Sequence, residues 1–130
     1  MNVINLVPMA APRPRFSKFG TYNNKKYTKY KEAIQKILKT KKVIFYSHNA
    51  LELEVVFYMP IPKSLSKRKK EELIGAYHTK RPDTDNLLKA LKDALGGLCY
   101  RDDAQVSVVS AKKIYALHPR IEFMLKEIDV

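Results

Sequence analysis

The chain has 130 residues, enough to bury one hydrophobic core and too few for two, so every motif is read as part of one domain spanning residues 1–130. Its 45% hydrophobic content excludes the apolar-poor composition of a disordered chain, although 29% of residues are charged. Lys and Arg number 25 against 13 Asp and Glu, a formal charge of +12 that favours polyanionic partners such as nucleic acid, because binding a phosphate backbone releases condensed counterions. A soluble basic protein with a solvated surface is the competing reading of charge alone.

The first eleven residues carry no basic segment ahead of their apolar stretch, and Pro8 and Pro12 interrupt that stretch. That is too early for a signal peptide or a membrane span, so a cytoplasmic protein without membrane association is expected. The single cysteine, Cys99, has no disulfide partner and no Cys or His at metal-ligand spacing. It reads as a partly buried thiol in a reducing compartment.

Residues 2–7 read as a short strand, ended by Pro8 and by the Pro12-Arg13-Pro14-Arg15 segment, whose prolines exclude helix. Over residues 26–40, Tyr27, Tyr30, Ala33, Ile34, Ile37 and Leu38 recur at three and four positions, predicting an amphipathic helix whose other face is almost all lysine. Leu51, Leu53, Val55, Phe57 and Met59 alternate with Glu52, Glu54, Val56 and Tyr58, which predicts a strand closed by Pro60 and Pro62. Ser64 or Ser66 can cap a short helix over 67–74, stopped by Gly75. A further helix is expected from near Asp85, burying Leu87, Leu88, Leu91 and Leu95 and ending at Gly96-Gly97. Residues 105–115 and 120–128 then read as two strands joined around His118-Pro119 as a terminal hairpin. The sum is an α+β (mixed α/β) domain, a small mixed sheet covered by helices.

Five of the six aspartates, Asp83, Asp85, Asp93, Asp102 and Asp103, fall within one short region of this basic chain. Neighbouring carboxylates repel unless cations, protons or hydrogen bonds compensate. A hard divalent cation does so well, since Mg²⁺ takes oxygen ligands and uses a few carboxylates beside substrate phosphates. If residues 81–85 are extended, Asp83 and Asp85 project to one side, and Lys89 lies one helical turn after Asp85. Asp102 or Asp103 could return to that pair after the helix. Such a set suits phosphodiester hydrolysis, with a lysine adding positive charge in the transition state. The same residues equally fit a helix cap, a Lys89–Asp93 surface pair and a polar turn.

The run Arg81-Pro82-Asp83-Thr84-Asp85-Asn86-Leu87-Leu88-Lys89-Ala90, then Asp93-Ala94-Leu95 and Tyr100-Arg101-Asp102-Asp103-Ala104-Gln105-Val106, resembles the RusA family of Holliday-junction resolvases. The likeness extends to Met59-Pro60-Ile61-Pro62-Lys63-Ser64, His78-Thr79-Lys80 and Pro12-Arg13-Pro14-Arg15. It implies a homodimeric endonuclease that nicks four-way DNA junctions in recombination and repair, dependent on Mg²⁺ with Mn²⁺ as a substitute. It also implies that Asp83, Asp85 and Asp103 are the catalytic metal ligands, with Asp102 the less certain neighbour, and that Lys89 is the catalytic lysine. Members are common in phages and prophages, and such an origin is expected here. Thr79-Lys80-Arg81-Pro82 depart from the pattern in offering no aromatic side chain to wedge into bases at a crossover.

Around this centre, Arg13, Arg15 and Lys18, the run Lys67, Arg68 and Lys69, and Lys80 and Arg81 are the candidate DNA contacts. His78, just before the acidic motif, is either a phosphate ligand or an unliganded loop histidine. The readings left open are a non-catalytic nucleic-acid-binding module, a nuclease acting on flaps or forks, and an acidic small-molecule phosphohydrolase. The last leaves the charge of +12 without a purpose.

Overall fold

The computed structural model describes residues 1–12 and 25–128 with their side chains, and residues 16–17 and 20–21 as backbone. Its elements in chain order are β1 (Asn2–Ile4), β2 (Phe16–Ser17), β3 (Gly20–Thr21), α1 (Lys25–Lys39), β4 (Leu51–Pro60), α2 (Lys67–Leu73) and α3 (Thr84–Leu95). A 3₁₀ turn (Asp103–Gln105) leads into β5 (Val106–Ala116), and β6 (Arg120–Glu127) follows. This is the expected α+β domain with one four-stranded mixed sheet, while β2 and β3 pair as a separate small hairpin.

β4 organises the sheet. Its alternation sorts Leu51, Leu53, Val55, Phe57 and Met59 to a buried face, all at 3% exposure or less, and leaves Glu52, Glu54, Val56 and Tyr58 half-buried on the other. Onto the buried face pack Tyr30, Ile34 and Leu38 of α1 and Leu87, Leu91 and Leu95 of α3, joined by Ile4, Ile121 and Phe123 in one cluster. The periodicity of both helices thus does what the sequence predicts. Tyr30 is core, and Tyr27 is half-buried beside it.

The expected terminal hairpin is not there. The strand order is β1-β6-β4-β5, so β6 pairs antiparallel with β4 and β1, while β5 lies parallel to β4 on its far side. The three-residue connection between β5 and β6 steps over the end of β4. Four Cα–Cα steps reach about 13–14 Å when extended, and two strand spacings need only about 9.5 Å. Hairpin and straddle therefore satisfy the same local sequence, and the apolar face of β4, which accepts partners on both edges, selects the straddle.

Smaller differences have local causes. β1 stops at Ile4, where Leu6 N–H turns back to the Ile4 carbonyl at 2.9 Å. Ser66, not Ser64, caps α2, its Oγ accepting from Lys69 N at 3.3 Å. Residues 75–78 cover part of the outer edge of β5, with Gly75 N bonding to Tyr115 O, Tyr115 N to Ala76 O and His78 N to Lys113 O. Cys99 is fully enclosed, at 2% exposure, and burial pushes its thiol pKa up to about 11. Among the described residues no helix is long and apolar enough to cross a membrane.

Phe57 sits at the centre of this layer with no exposed surface. Phe57→Ala should destabilise the fold by about 3–5 kcal/mol, read as a shift in the urea midpoint with an unchanged m-value.

Candidate active site

α3 carries most of the site. With Leu87, Leu91 and Leu95 fixed inward, helical geometry sends Asp85, Leu88, Lys89, Lys92 and Asp93 along the opposite flank, at spacings of three and four. These five, with Asp103 from the turn before β5, line one groove of about 180 Å³. The structure therefore brings Asp85, Asp103 and Lys89 to a common surface, as the sequence predicts, and adds Lys92 and Asp93.

Asp83 is not among the lining residues. The expected extended segment over 81–85 is interrupted, because α3 already begins at Thr84 and Asp83 is its N-cap. Its carboxylate is exposed and makes no capping hydrogen bond, so the cap reading of the motif does not account for Asp83. Asp85, in the first turn, accepts from Asn86 N at 3.0 Å through Oδ1. Neither Lys89 nor Asp93 takes part in an ion pair among the described residues, and Tyr27 donates to Asp93 Oδ2 at 2.7 Å instead. Burial and this carboxylate both push the Tyr27 phenol pKa up, so the hydroxyl keeps its proton and remains a donor.

Asp102 and Asp103 part company. Asp102 Oδ1 accepts from Ala104 N at 2.9 Å and caps the 3₁₀ turn, and its side chain borders a different depression with His48, Asn49 and Gln105. Asp103 faces the α3 groove. Gln105 fixes that choice, because Oε1 accepts from Arg101 N and Asp102 N, both at 3.0 Å, while Nε2 donates to Tyr46 O at 3.0 Å and Asn49 O at 3.1 Å. The signal for this role was present in the sequence, since Asp102-x-x-Gln105 has capping-box spacing. Tyr100, fully buried, donates to Lys92 O at 2.6 Å, and the nearby charges of Asp103 and Asp93 help burial push its pKa up. Asp103 thus belongs to the Lys92–Asp93 end of the groove. Asp85 lies eight residues up the helix from Asp93, a rise of about 12 Å.

The carboxylates consequently do not close into a cage, and among the described residues no three acidic, His or Cys side chains converge on one metal position. Their chemistry still fits Mg²⁺, a cation that keeps several waters and needs only one or two carboxylates beside substrate phosphates. Three carboxylates and two ammonium groups share the groove, a mixture suited to a cation and a phosphate together.

Of the predicted DNA contacts, Lys67, Arg68 and Lys69 lie exposed on α2, with Arg68 loosely paired to Glu72 at 3.5 Å. Lys80 and Arg81 are exposed immediately before α3. Arg13, Arg15 and Lys18 lie outside the described residues. The described chain reaches position 12 beside α3, where Ala11 N donates to Asn86 O at 3.0 Å.

The family model described as Endodeoxyribonuclease RusA matches residues 5–126. The chain belongs to the RusA endodeoxyribonuclease family. An uncharacterized protein, YqaN, of Bacillus subtilis (strain 168) is 35% identical, over 94% of this chain and 92% of its own. A protein of Lactococcus phage r1t described as crossover junction endodeoxyribonuclease rusA is 30% identical, over 85% of this chain and 80% of its own. RusA membership makes the protein an enzyme acting on DNA.

His78 is placed against a phosphate role. Its ring packs on Tyr115 with centroids 4.7 Å apart, its Nδ1 is enclosed without a partner among the described residues, and burial together with the Lys113 ammonium lowers its pKa. A neutral ring brings no charge to a phosphate.

Two outcomes follow. Gln105→Ala removes four hydrogen bonds and should lower stability by about 2–4 kcal/mol in denaturant titration, at about 1 kcal/mol each. For His78 the unfolded chain binds the proton first. The stability it contributes is complete above about pH 6.5 and is lost as pH falls through the lowered folded pKa. Melting temperature measured from pH 8 to pH 5 should therefore fall less steeply in His78→Gln than in the native protein.

Proposed function

We propose that this protein is a Mg²⁺-dependent endonuclease that resolves four-way DNA junctions by paired symmetric nicks, acting as a homodimer. The observation that carries the reading is the one groove lined by Asp85, Lys89 and, from a separate element, Asp103, in a chain of the RusA endodeoxyribonuclease family. Two symmetry-related strands must be cut at a junction, and an isologous dimer presents two identical sites about the same kind of axis.

Asp83, Asp85 and Asp103 are the proposed ligands; Asp85 and Asp103 line the groove toward different ends and Asp83 stands outside its lining, so Mg²⁺ would be held directly by one or two of them and reach the others through its waters. When bound, the cation neutralises the phosphate and lowers the pKa of an attacking water. Water oxygen forms the new bond to phosphorus as one bridging P–O bond breaks, and the departing oxygen takes up a proton. Lys89 supplies a positive charge to the non-bridging oxygens as charge builds there. Asp93 lines the groove wall and is held there by the Tyr27 hydroxyl.

Binding belongs to other residues. Lys80 and Arg81 flank the site, Lys67, Arg68 and Lys69 extend the basic surface along α2, and Arg13, Arg15 and Lys18, outside the described residues, are proposed as further contacts. Their contacts are to the DNA backbone, so affinity depends on salt and not on sequence.

The test is cleavage of a synthetic four-way junction with Mg²⁺ or EDTA, beside matched fork and linear duplex. Paired nicks confined to the junction and absent in EDTA are expected. Asp85→Asn and Asp103→Asn should each slow cutting by at least about 100-fold while retaining junction binding, and Asp102→Asn should stay within about tenfold of wild type. Tight binding with no cutting under any metal would instead make the protein a binding module, and equal cutting of forks would make it a nuclease of broader substrate range.

A further inference from the structure

Lys113 is an inward-facing lysine. In the β4–β5 register it stands opposite Phe57, on the side of the sheet that carries the core, and it is half-buried. Desolvating an ammonium group there is unfavourable unless its donors are satisfied. No carboxylate pairs with it among the described residues. Instead Nζ donates to Lys80 O at 2.7 Å and to Pro82 O at 2.8 Å, two charge-assisted bonds to the backbone just ahead of α3. The same residue's carbonyl accepts from His78 N at 3.0 Å. Lys113 thus holds the segment over 78–82 at both of its ends.

That segment delivers the chain into α3. Asp83 follows Pro82 directly, its carbonyl accepts the first helical bond from Leu87 N at 3.1 Å, and Asp85 lies one residue further into the first turn. Lys80 and Arg81 are carried by the same backbone. His78, neutral and packed on Tyr115, fills the space beside the ammonium without competing for the two carbonyls.

We propose that Lys113 is a positioning residue for the nuclease, a strut from β5 that sets where Asp83 and Asp85 stand relative to Asp103. The inference rests on the nuclease reading above for its catalytic consequence, and on the two hydrogen bonds for its structural one. Asp103 leads into the N-terminal end of β5 and Lys113 lies further along the same strand, so one strand fixes both halves of the acidic set.

The variants are Lys113→Met, which keeps the apolar stem and removes the donors, Lys113→Arg, which restores donors, and Lys112→Met, which removes an equal charge from the exposed neighbour. Amide hydrogen exchange followed by mass spectrometry needs neither metal nor DNA. Lys113→Met should accelerate exchange in peptides spanning 78–87 and leave those from β4 and β6 unchanged. In single-turnover junction cleavage, misplacement on the ångström scale is worth about 10- to 100-fold, so Lys113→Met should slow cutting by that factor with junction affinity unchanged. Its Mg²⁺ midpoint should rise. Loss of a nearby positive charge would by itself lower that midpoint, so the sign separates positioning from electrostatics. Lys113→Arg should recover most of the rate, and Lys112→Met should match wild type. Unchanged exchange over 78–87, or wild-type cutting with a wild-type midpoint in Lys113→Met, overturns the proposal. If wild type itself does not cut, the nuclease reading has failed, and the exchange result alone then upholds or removes the strut.

Discussion

The burial of the α3 leucine stripe in the core it shares with α1 and the sheet is the constraint from which the site follows. Leu87, Leu91 and Leu95 have no exposed surface, and burying a leucine side chain is worth roughly 1.5–3 kcal/mol, so the helix cannot rotate without exposing its stripe. Once the stripe faces inward, the directions of Asp85, Lys89, Lys92 and Asp93 are fixed, because a helix presents residues three and four apart on one flank. Chemistry-bearing residues occupy the side of α3 that packing leaves free. α1 braces the same helix from beside it, through the Tyr27–Asp93 bond and the Gln35 amide that donates to Ala94 O at 3.3 Å.

A second constraint selects between two adjacent aspartates. Successive residues in a turn point to different sides, so Asp102 and Asp103 cannot both face α3. Gln105 satisfies the backbone donors around Asp102 and ties the turn to the segment between α1 and β4, leaving Asp102 as a cap and Asp103 toward the groove. Asp103 owes its position largely to groups that hold the turn around it. Substitutions at such supporting residues act on the site through geometry, not through its charge.

Much of this was legible in the sequence because helical and strand periodicities report burial directly. α1, β4 and α3 were each predicted within a residue or two, and Asp85, Lys89 and Asp103 were singled out together. What periodicity cannot report is partnership. The alternation of β5 and β6 is compatible with pairing to each other or to opposite edges of β4, and the short His118-Pro119 connection permits both. The pairing of residues 75–78 with β5 has no periodic signal because the segment is too short to repeat. Lys113 left no mark either, since a lysine in a strand ordinarily reads as solvent-facing, and only the register with Phe57 shows that it points inward. Asp83 has the extended backbone expected for residues 81–85, but Asp85 does not, as the helix starts one residue earlier than its leucines require.

Charge is distributed in this molecule by function and not by surface. The chain as a whole carries +12, yet the groove on α3 holds three carboxylates against two lysines and is close to neutral. A strongly basic groove would bind the DNA backbone tightly and repel the cation that the proposed mechanism uses. A strongly acidic one would hold the cation and repel the phosphate. On the proposed reading, near balance at the groove, with positive charge on the exposed α2 and on the segment ahead of α3, would let long-range attraction bring DNA to the surface while the local field admits both ion and phosphate. Lys89 and Lys92 sit within one helical turn of Asp85 and Asp93, so four of the five groove charges are set by the helix itself, and only Asp103 comes from the turn before β5.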